Sequence, residues 1–362
     1  MTTTIVDASG VGPGGITRVL SEIVRYWPAA EHLRIVAAPA GWSAPEDRAT
    51  EVTVVSSQQG GRVGTIAEAT QTLRRLTGRD AGPDARVLSL SPSLAVRGSR
   101  LPVATVVHDL AFRLWPNGLS ASVLQYRRLS YSTAIGRSER LLCVSARTRH
   151  DLLGLYGVRY SRTAVWHPGS DLSVTPGALP APVDAVRRRD GRYLVVAGHA
   201  SHKGVELAIE AVAQLPAYHL MVLTGGNPVE EFRRTAGESA AASRIVFLDR
   251  LSDPEYAATV AGAAAFLMPS HFEGYGLPAA EALRLGTPTV ISPDPALLEA
   301  TGGAAVRMDT WTGEALVRAL RQVEAGHLPP AVAGLGGRSW RESTAHLHAL
   351  LGGELTATTT SR

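Results

Sequence analysis

The chain has 362 residues, more than a single hydrophobic core usually serves, so two domains are expected. Hydrophobic residues make up 45%, charged residues 19% and aromatic residues 6%, which excludes disordered and fibrous classes. The 36 basic residues exceed the 32 acidic ones by a net charge of only +4, too thin a surplus without clustering to indicate nucleic acid. All the basic residues except Lys203 are arginine, so a site that needs a compact ammonium has one candidate. Cys143 is the one cysteine, which excludes an internal disulfide and a cysteine-built zinc cluster and fits a reducing compartment. Met1 to Asp7 lacks the basic and apolar regions of a signal peptide. The longest mostly apolar run, Ala257 to Pro269, is about 13 residues, where a membrane span needs roughly 20. A cytoplasmic protein without an integral membrane segment is expected, with peripheral membrane contact left open.

In chain order, Thr4 to Asp7 reads as a short buried strand that runs into a glycine turn, Gly10 to Gly15. Ile16, Val19, Leu20, Ile23 and Val24 then repeat at helical spacing. Further apolar strands are expected at 34–38, 51–55, 87–90, 103–107 and 140–145, separated by helical stretches, which predicts a parallel sheet covered on both faces. Tyr126-Arg127-Arg128, Tyr131, Arg137 and Arg140 read as a solvated helix face or as a contact to an anionic acceptor or membrane surface. From Pro168 to Pro182 prolines and glycines break the periodicity, as in a linker.

A second α/β series follows, with strands at 192–197, 219–223, 244–248, 265–268 and 287–291 and a helix from Gly204 to Leu215. Ser252-Asp253-Pro254-Glu255 is a capping box opening a helix that ends near Gly262. The expected division is an N-terminal Rossmann-like domain at 1–168, a linker at 169–190, a C-terminal Rossmann-like domain at 191–337, a helix at 338–352 and a polar tail at 353–362.

The segment Pro269-Ser270-His271-Phe272-Glu273-Gly274-Tyr275-Gly276-Leu277-Pro278-Ala279-Ala280-Glu281 follows a strand, at the edge where open α/β sheets bind ligands. Gly274 and Gly276 let backbone approach a ligand, and Pro278 suits the first turn of a helix. The amino end of that helix suits phosphate. Glu281, in or near the first turn, suits the vicinal hydroxyls of a ribose, and Glu273 a second hydroxylated ring. The same residues also read as an ordinary capped helix.

These residues resemble the paired-glutamate motif of retaining GT-B glycosyltransferases, and Glu-Gly-Tyr-Gly-Leu-Pro with the following Glu-Ala is similar to glycosyltransferase family 4 (glycosyl transferases group 1). The resemblance covers nearly the whole chain, more strongly in its second half. It implies an α/β fold of GT-B architecture, two Rossmann-like domains with parallel sheets facing across a cleft, and a final helix returning to the N-terminal domain. It implies that Glu281 binds the nucleotide ribose, that Glu273 contacts the donor sugar, and that Gly274, Tyr275, Gly276 and Leu277 approach sugar and phosphate.

It extends to Gly198-His199-Ala200-Ser201-His202-Lys203-Gly204. Lys203 matches the family lysine on the donor diphosphate, while His199 stands where the family has arginine, so either a protonated His199 or His202 supplies the second cation or the phosphate grip is weaker. His108, at the end of the strand Val103 to Val107, is placed by the resemblance against the donor sugar, and Asp109 is placed near the acceptor. Gly14 and Gly15 are expected to approach the donor phosphate and the acceptor. Arg250 and Leu251 fall in a loop resembling the one that reads the nucleobase.

The expected function is retaining transfer of a sugar from a nucleoside-diphosphate sugar to an acceptor hydroxyl on a small molecule or lipid, a natural product or envelope precursor. His108, Lys203 and Glu273 are the catalytic candidates. No Asp-x-Asp metal motif is present, so no metal and no cofactor besides the co-substrate are expected. A sugar-nucleotide epimerase, an NAD-dependent dehydrogenase using the Gly10–Gly15 turn, and a non-catalytic nucleotide-sugar binder are the alternatives. The sugar, base, acceptor and oligomeric state stay open.

Overall fold

A computed structural model describes residues 3–352 except 13, 60, 80, 118, 190, 199 and 333–336. The expected tail at 353–362 lies outside the described residues. The chain divides into two units. The first holds residues up to Phe112, Leu119–Gly169 and the described residues from Arg338 on; the second holds Arg113–Gly118 and Ser170–Gly337.

The first unit carries β1 (Thr3–Asp7), β2 (His32–Val36), β3 (Val52–Val54), β4 (Arg86–Ser89), β5 (Val103–Val107), β6 (Ser138–Cys143) and β7 (Thr163–Val165). They form one sheet in the order β3-β2-β1-β4-β5-β6-β7. The second unit carries β8 (Arg192–Ala197), β9 (Tyr218–Leu223), β10 (Ile245–Leu248), β11 (Ala265–Met268), β12 (Thr289–Ile291) and β13 (Val306–Arg307), in the order β10-β9-β8-β11-β12-β13. Every pairing in both sheets is parallel. In each unit the first strand lies between the second and the fourth, so the order reverses there, as in doubly wound nucleotide-binding sheets.

Helices cover both faces, which is why these strands read as continuous apolar runs. In β8, Leu194 and Val196 join one core cluster, while Tyr193 and Val195 join another across the sheet. In β11, Ala265 and Leu267 divide in the same way from Phe266 and Met268. Neither β7 nor β13 is legible in the sequence, being strands of three and two residues at sheet edges.

The expected linker at 169–190 is not featureless. Ala181–Arg187 is a helix whose Val183 is fully buried against the core below β8. Proline punctuation hid it: Pro180 is its N-cap and Pro182 lies in its first turn, where a missing amide costs nothing. The residues 113–118 group with the second unit although the chain reaches them from the first. No helix among the described residues is long and apolar enough to cross a membrane.

Phe266 is fully buried in β11. Truncating it (Phe266→Ala) is expected to destabilise the second unit by about 3–5 kcal/mol, read as a lowered urea midpoint.

Candidate functional site

In the second unit, β8 and β11 are neighbours at the point where strand order reverses, so the loops leaving their carboxyl ends emerge side by side. The loop after β8 makes one short helical turn, Ser201–Lys203, and then Gly204 adopts a left-handed conformation with φ of 67°. A side chain on Gly204 would also collide with the carbonyl of Pro269, so this loop lies directly on the one that follows β11. The His271 amide donates to the His202 carbonyl at 2.7 Å and joins the two.

That contact brings Lys203 to Glu273. The Lys203 ammonium donates to both carboxylate oxygens of Glu273, 2.8 Å to Oε1 and 3.0 Å to Oε2. The carboxylate is buried, and Lys203 keeps 22% of its side chain exposed. The sequence assigns these residues to different parts of a ligand; the structure holds them as one ion pair. Behind Glu273, its amide donates to Asp294 Oδ2 at 3.3 Å, while Asp294 Oδ1 caps the helix Pro295–Ala300 by accepting from the Ala296 amide at 2.8 Å.

The helix Leu277–Arg284 starts at Gly276, whose φ of 107° is left-handed and whose missing Cβ leaves room for Leu297. Pro278 lies in the first turn, and no side chain caps this helix end. Uncapped amides and the helix dipole there suit an anion. Glu281 is in the second turn rather than the first, buried, and its Oε2 accepts from the Tyr256 hydroxyl at 2.8 Å. Gly274 and Leu277 are partly exposed, whereas Tyr275 is buried.

After β10, Arg250 is exposed and Leu251 packs onto the core. Beside Arg250 lies a turn the sequence reading passed over, Thr224-Gly225-Gly226-Asn227, with φ of 64° and 78° at its two glycines. His199 lies outside the described residues.

In the first unit, Gly14 has φ of 113° and starts the helix Gly15–Tyr26 without a side-chain cap; Gly14 and Gly15 are exposed. His108, just past β5, bonds through Nε2 to the Leu90 carbonyl at 2.8 Å. That nitrogen therefore carries the proton, because a carbonyl only accepts. Desolvation of the ring pulls its pKa below the ordinary value, against the opposing effects of Leu90 and Asp109. Asp109 has local work: its Oδ1 accepts from the Ala111 amide at 2.9 Å, and its carbonyl accepts from the Tyr131 hydroxyl at 3.0 Å.

Two features escaped the sequence reading. Asp7, fully buried at the end of β1, accepts from the Ser9 amide at 3.0 Å, the Ser9 hydroxyl at 2.6 Å and the Ser89 hydroxyl at 2.8 Å. Burial pushes its carboxyl up, with those hydrogen bonds pulling the other way. The signal was present, a charged residue closing an apolar strand before a glycine turn. The second is an aromatic array: His271 stacks on Trp115 with ring centroids 5.2 Å apart and on Trp311 at 6.3 Å. Nothing in the sequence places three such distant residues together.

Residues 13–174 match the family described as Glycosyltransferase Family 4, and residues 184–327 match Glycosyl transferases group 1. A D-inositol 3-phosphate glycosyltransferase from Corynebacterium efficiens is 31% identical over 214 residues, covering 53% of this chain and 49% of the relative. A glycogen synthase from Deinococcus radiodurans is 30% identical over 184 residues, covering 46% of this chain and 39% of the relative. The chain thus spans less than half the length of these curated relatives. Among solved structures, Anabaena HepE in complex with UDP and glucose aligns with a TM-score of 0.71 at 18% identity, covering 98% of this chain and all of that one. WaaG, a glycosyltransferase involved in lipopolysaccharide biosynthesis, aligns with a TM-score of 0.67 at 17% identity, covering 99% of this chain and all of that one. These two likenesses establish the fold.

Two outcomes follow from the geometry. Gly204→Ala is expected to destabilise the second unit and to separate the two loops, read as a lower unfolding midpoint. His108, with its folded pKa below the ordinary 6.5, contributes stability in full above pH 6.5 and loses it as pH falls through the folded value. A ring-proton NMR titration should place its midpoint below 6.5, and His108→Gln should flatten the stability profile in that window.

Proposed function

The two halves of the chain belong to glycosyltransferase family 4 and glycosyl transferases group 1 in a GT-B fold, and on that premise we propose that it moves a sugar from a nucleoside-diphosphate sugar to an acceptor hydroxyl with retention of configuration. The observation that carries this reading is one edge of one sheet. There a lysine holds a buried carboxylate, a second buried carboxylate accepts from a tyrosine, and an uncapped helix begins between them.

The donor is assigned to the second unit. Glu281, oriented by Tyr256, takes the ribose hydroxyls, and Glu273 accepts from hydroxyls of the transferred sugar. The amides from Gly274 to Leu277 and the Lys203 ammonium take the diphosphate, with Arg250 and Leu251 beside the base. As the glycosidic bond breaks, negative charge grows on the departing phosphate, and the ammonium and helix dipole stabilise it there. These groups supply the charge compensation from the chain itself, without a metal ion or a cofactor besides the co-substrate. The acceptor oxygen attacks the face the diphosphate leaves, and a phosphate oxygen takes the acceptor proton. No side chain is assigned as a covalent nucleophile. Gly14, Gly15, His108 and Asp109 are the first unit's assigned contributions, with His108 neutral at pH 7. The favoured acceptor is a soluble small molecule of natural-product type, handled in the cytoplasm.

A thermal-shift screen of UDP, GDP, ADP and TDP sugars identifies the base, and NMR of the product's anomeric centre reads the stereochemistry. Lys203→Ala and Glu281→Ala are each expected to lower kcat by about 10²–10³-fold in chains that stay folded. Near wild-type rates in both would sink the site assignment. Conversion of the donor sugar with no acceptor present would replace transfer by epimerisation.

A further inference from the structure

We propose that the first unit holds a second, separate anion site, built from Arg74, Arg97, Arg100 and Arg137 and fitted to a phosphate-bearing ligand. These four arginines line a cavity of about 520 Å³, and among the described residues no carboxylate lines it with them. Some guanidinium groups elsewhere have acidic partners: Arg86 pairs with Glu31, Arg147 with Asp151 and Arg318 with Asp309. None of the four makes an ion pair with a described carboxylate. Four cations around one cavity repel one another, and an anion between them relieves that repulsion.

The fold assembles the cluster from three elements. Arg74 lies in the last turn of the helix Arg62–Leu76. Gly98 ends a short helical turn, and any side chain on it would run into the Thr70 backbone of that helix, so the turn lies against the helix with no space between. This sets Arg97 and Arg100 beside Arg74. The Arg100 amide donates to Thr77 Oγ1 at 2.9 Å, which fixes the loop to the end of the same helix. Arg137 closes the helix Ala121–Arg137 and donates to the Ser99 carbonyl at 3.2 Å; Arg97 donates to Thr133 Oγ1 of that helix at 3.0 Å. Those bonds orient two guanidiniums and leave most of their five donors unused. The Arg74 and Arg100 guanidiniums make no hydrogen bond to a described residue.

The cavity lies at the opposite sheet edge from His108. Pro102 lines it and leads into β5, whose far end is Val107, about 17 Å away at strand rise. A ligand here shares no contact with the residues assigned to sugar transfer. Guanidinium forks match phosphate oxygens bidentately, and four of them call for a ligand of two or more negative charges. A free phosphate monoester or polyphosphate and a phospholipid headgroup ending in a phosphomonoester both offer that chemistry.

The test is calorimetric titration of the full chain with tripolyphosphate at low salt, in the wild type and in Lys203→Ala, which removes the cation of the proposed donor site. Saturable binding is expected in both. The exposed pair Arg74→Ala/Arg100→Ala should weaken it about tenfold or more. The control pair Arg189→Ala/Arg307→Ala, which removes equal charge elsewhere, should not. Phosphatidic acid vesicles bound by the wild type and not by the Arg74/Arg100 pair, with tripolyphosphate failing to bind, would identify a lipid headgroup as the source. Absence of both kinds of binding, loss of binding in Lys203→Ala, or equal weakening by the control pair overturns the site. Each of these outcomes is independent of whether sugar transfer is detected.

Discussion

Between the Gly204 backbone and the Pro269 carbonyl there is no room for a side chain, and the second unit's site depends on that close approach. It brings the loop after β8 onto the loop after β11 and carries Lys203 to Glu273. A lysine set on the first loop alone would extend into water; here its ammonium is held by both oxygens of a buried carboxylate. Removing either partner of such a pair leaves an uncompensated charge, so each fixes the other.

The polar groups behind this pair extend its order into the sheet. Asp294 bonds the Glu273 amide with one oxygen and caps a helix with the other. Ser292 and Trp311 both donate to the Ser270 carbonyl, at 2.6 and 3.0 Å. The loop that carries Glu273 is thus held from behind by side chains of later elements, which limits its freedom before any ligand arrives.

The first unit uses a comparable device at its other end. Burial works to raise the Glu31 carboxyl, but His348 and Arg86 outweigh it and hold the group below the usual carboxylate value. The Arg86 guanidinium lies 2.6 Å and the His348 ring nitrogen 2.8 Å from the same oxygen. His348 belongs to the helix Trp340–Gly352, so this carboxylate ties the last helix to the first unit. Trp166 adds a bond to the Ser343 carbonyl at 2.9 Å, and Gly169 leaves room for the Trp340 backbone. A distant stretch of chain returns to the first unit because its partners are buried there.

Much of this was legible in the sequence, for local reasons. Apolar runs bounded by glycine and proline marked most strands, since buried parallel strands need apolar residues on both faces. Ser252 and Glu255 announced a helix start that the structure keeps as a capping box. The glycines at 204 and 276 and the glutamates at 273 and 281 gave the candidate site its chemical types. Residue type and local spacing determine backbone freedom, burial preference and available charge. They do not say which loop lies on which. That Lys203 meets Glu273, that Tyr256 holds Glu281, that His271 stacks on Trp115 and Trp311, and that four arginines from three elements line one cavity were decided only by tertiary structure. Each such contact joins residues far apart in sequence, and its geometry is set by packing between elements rather than by either element alone.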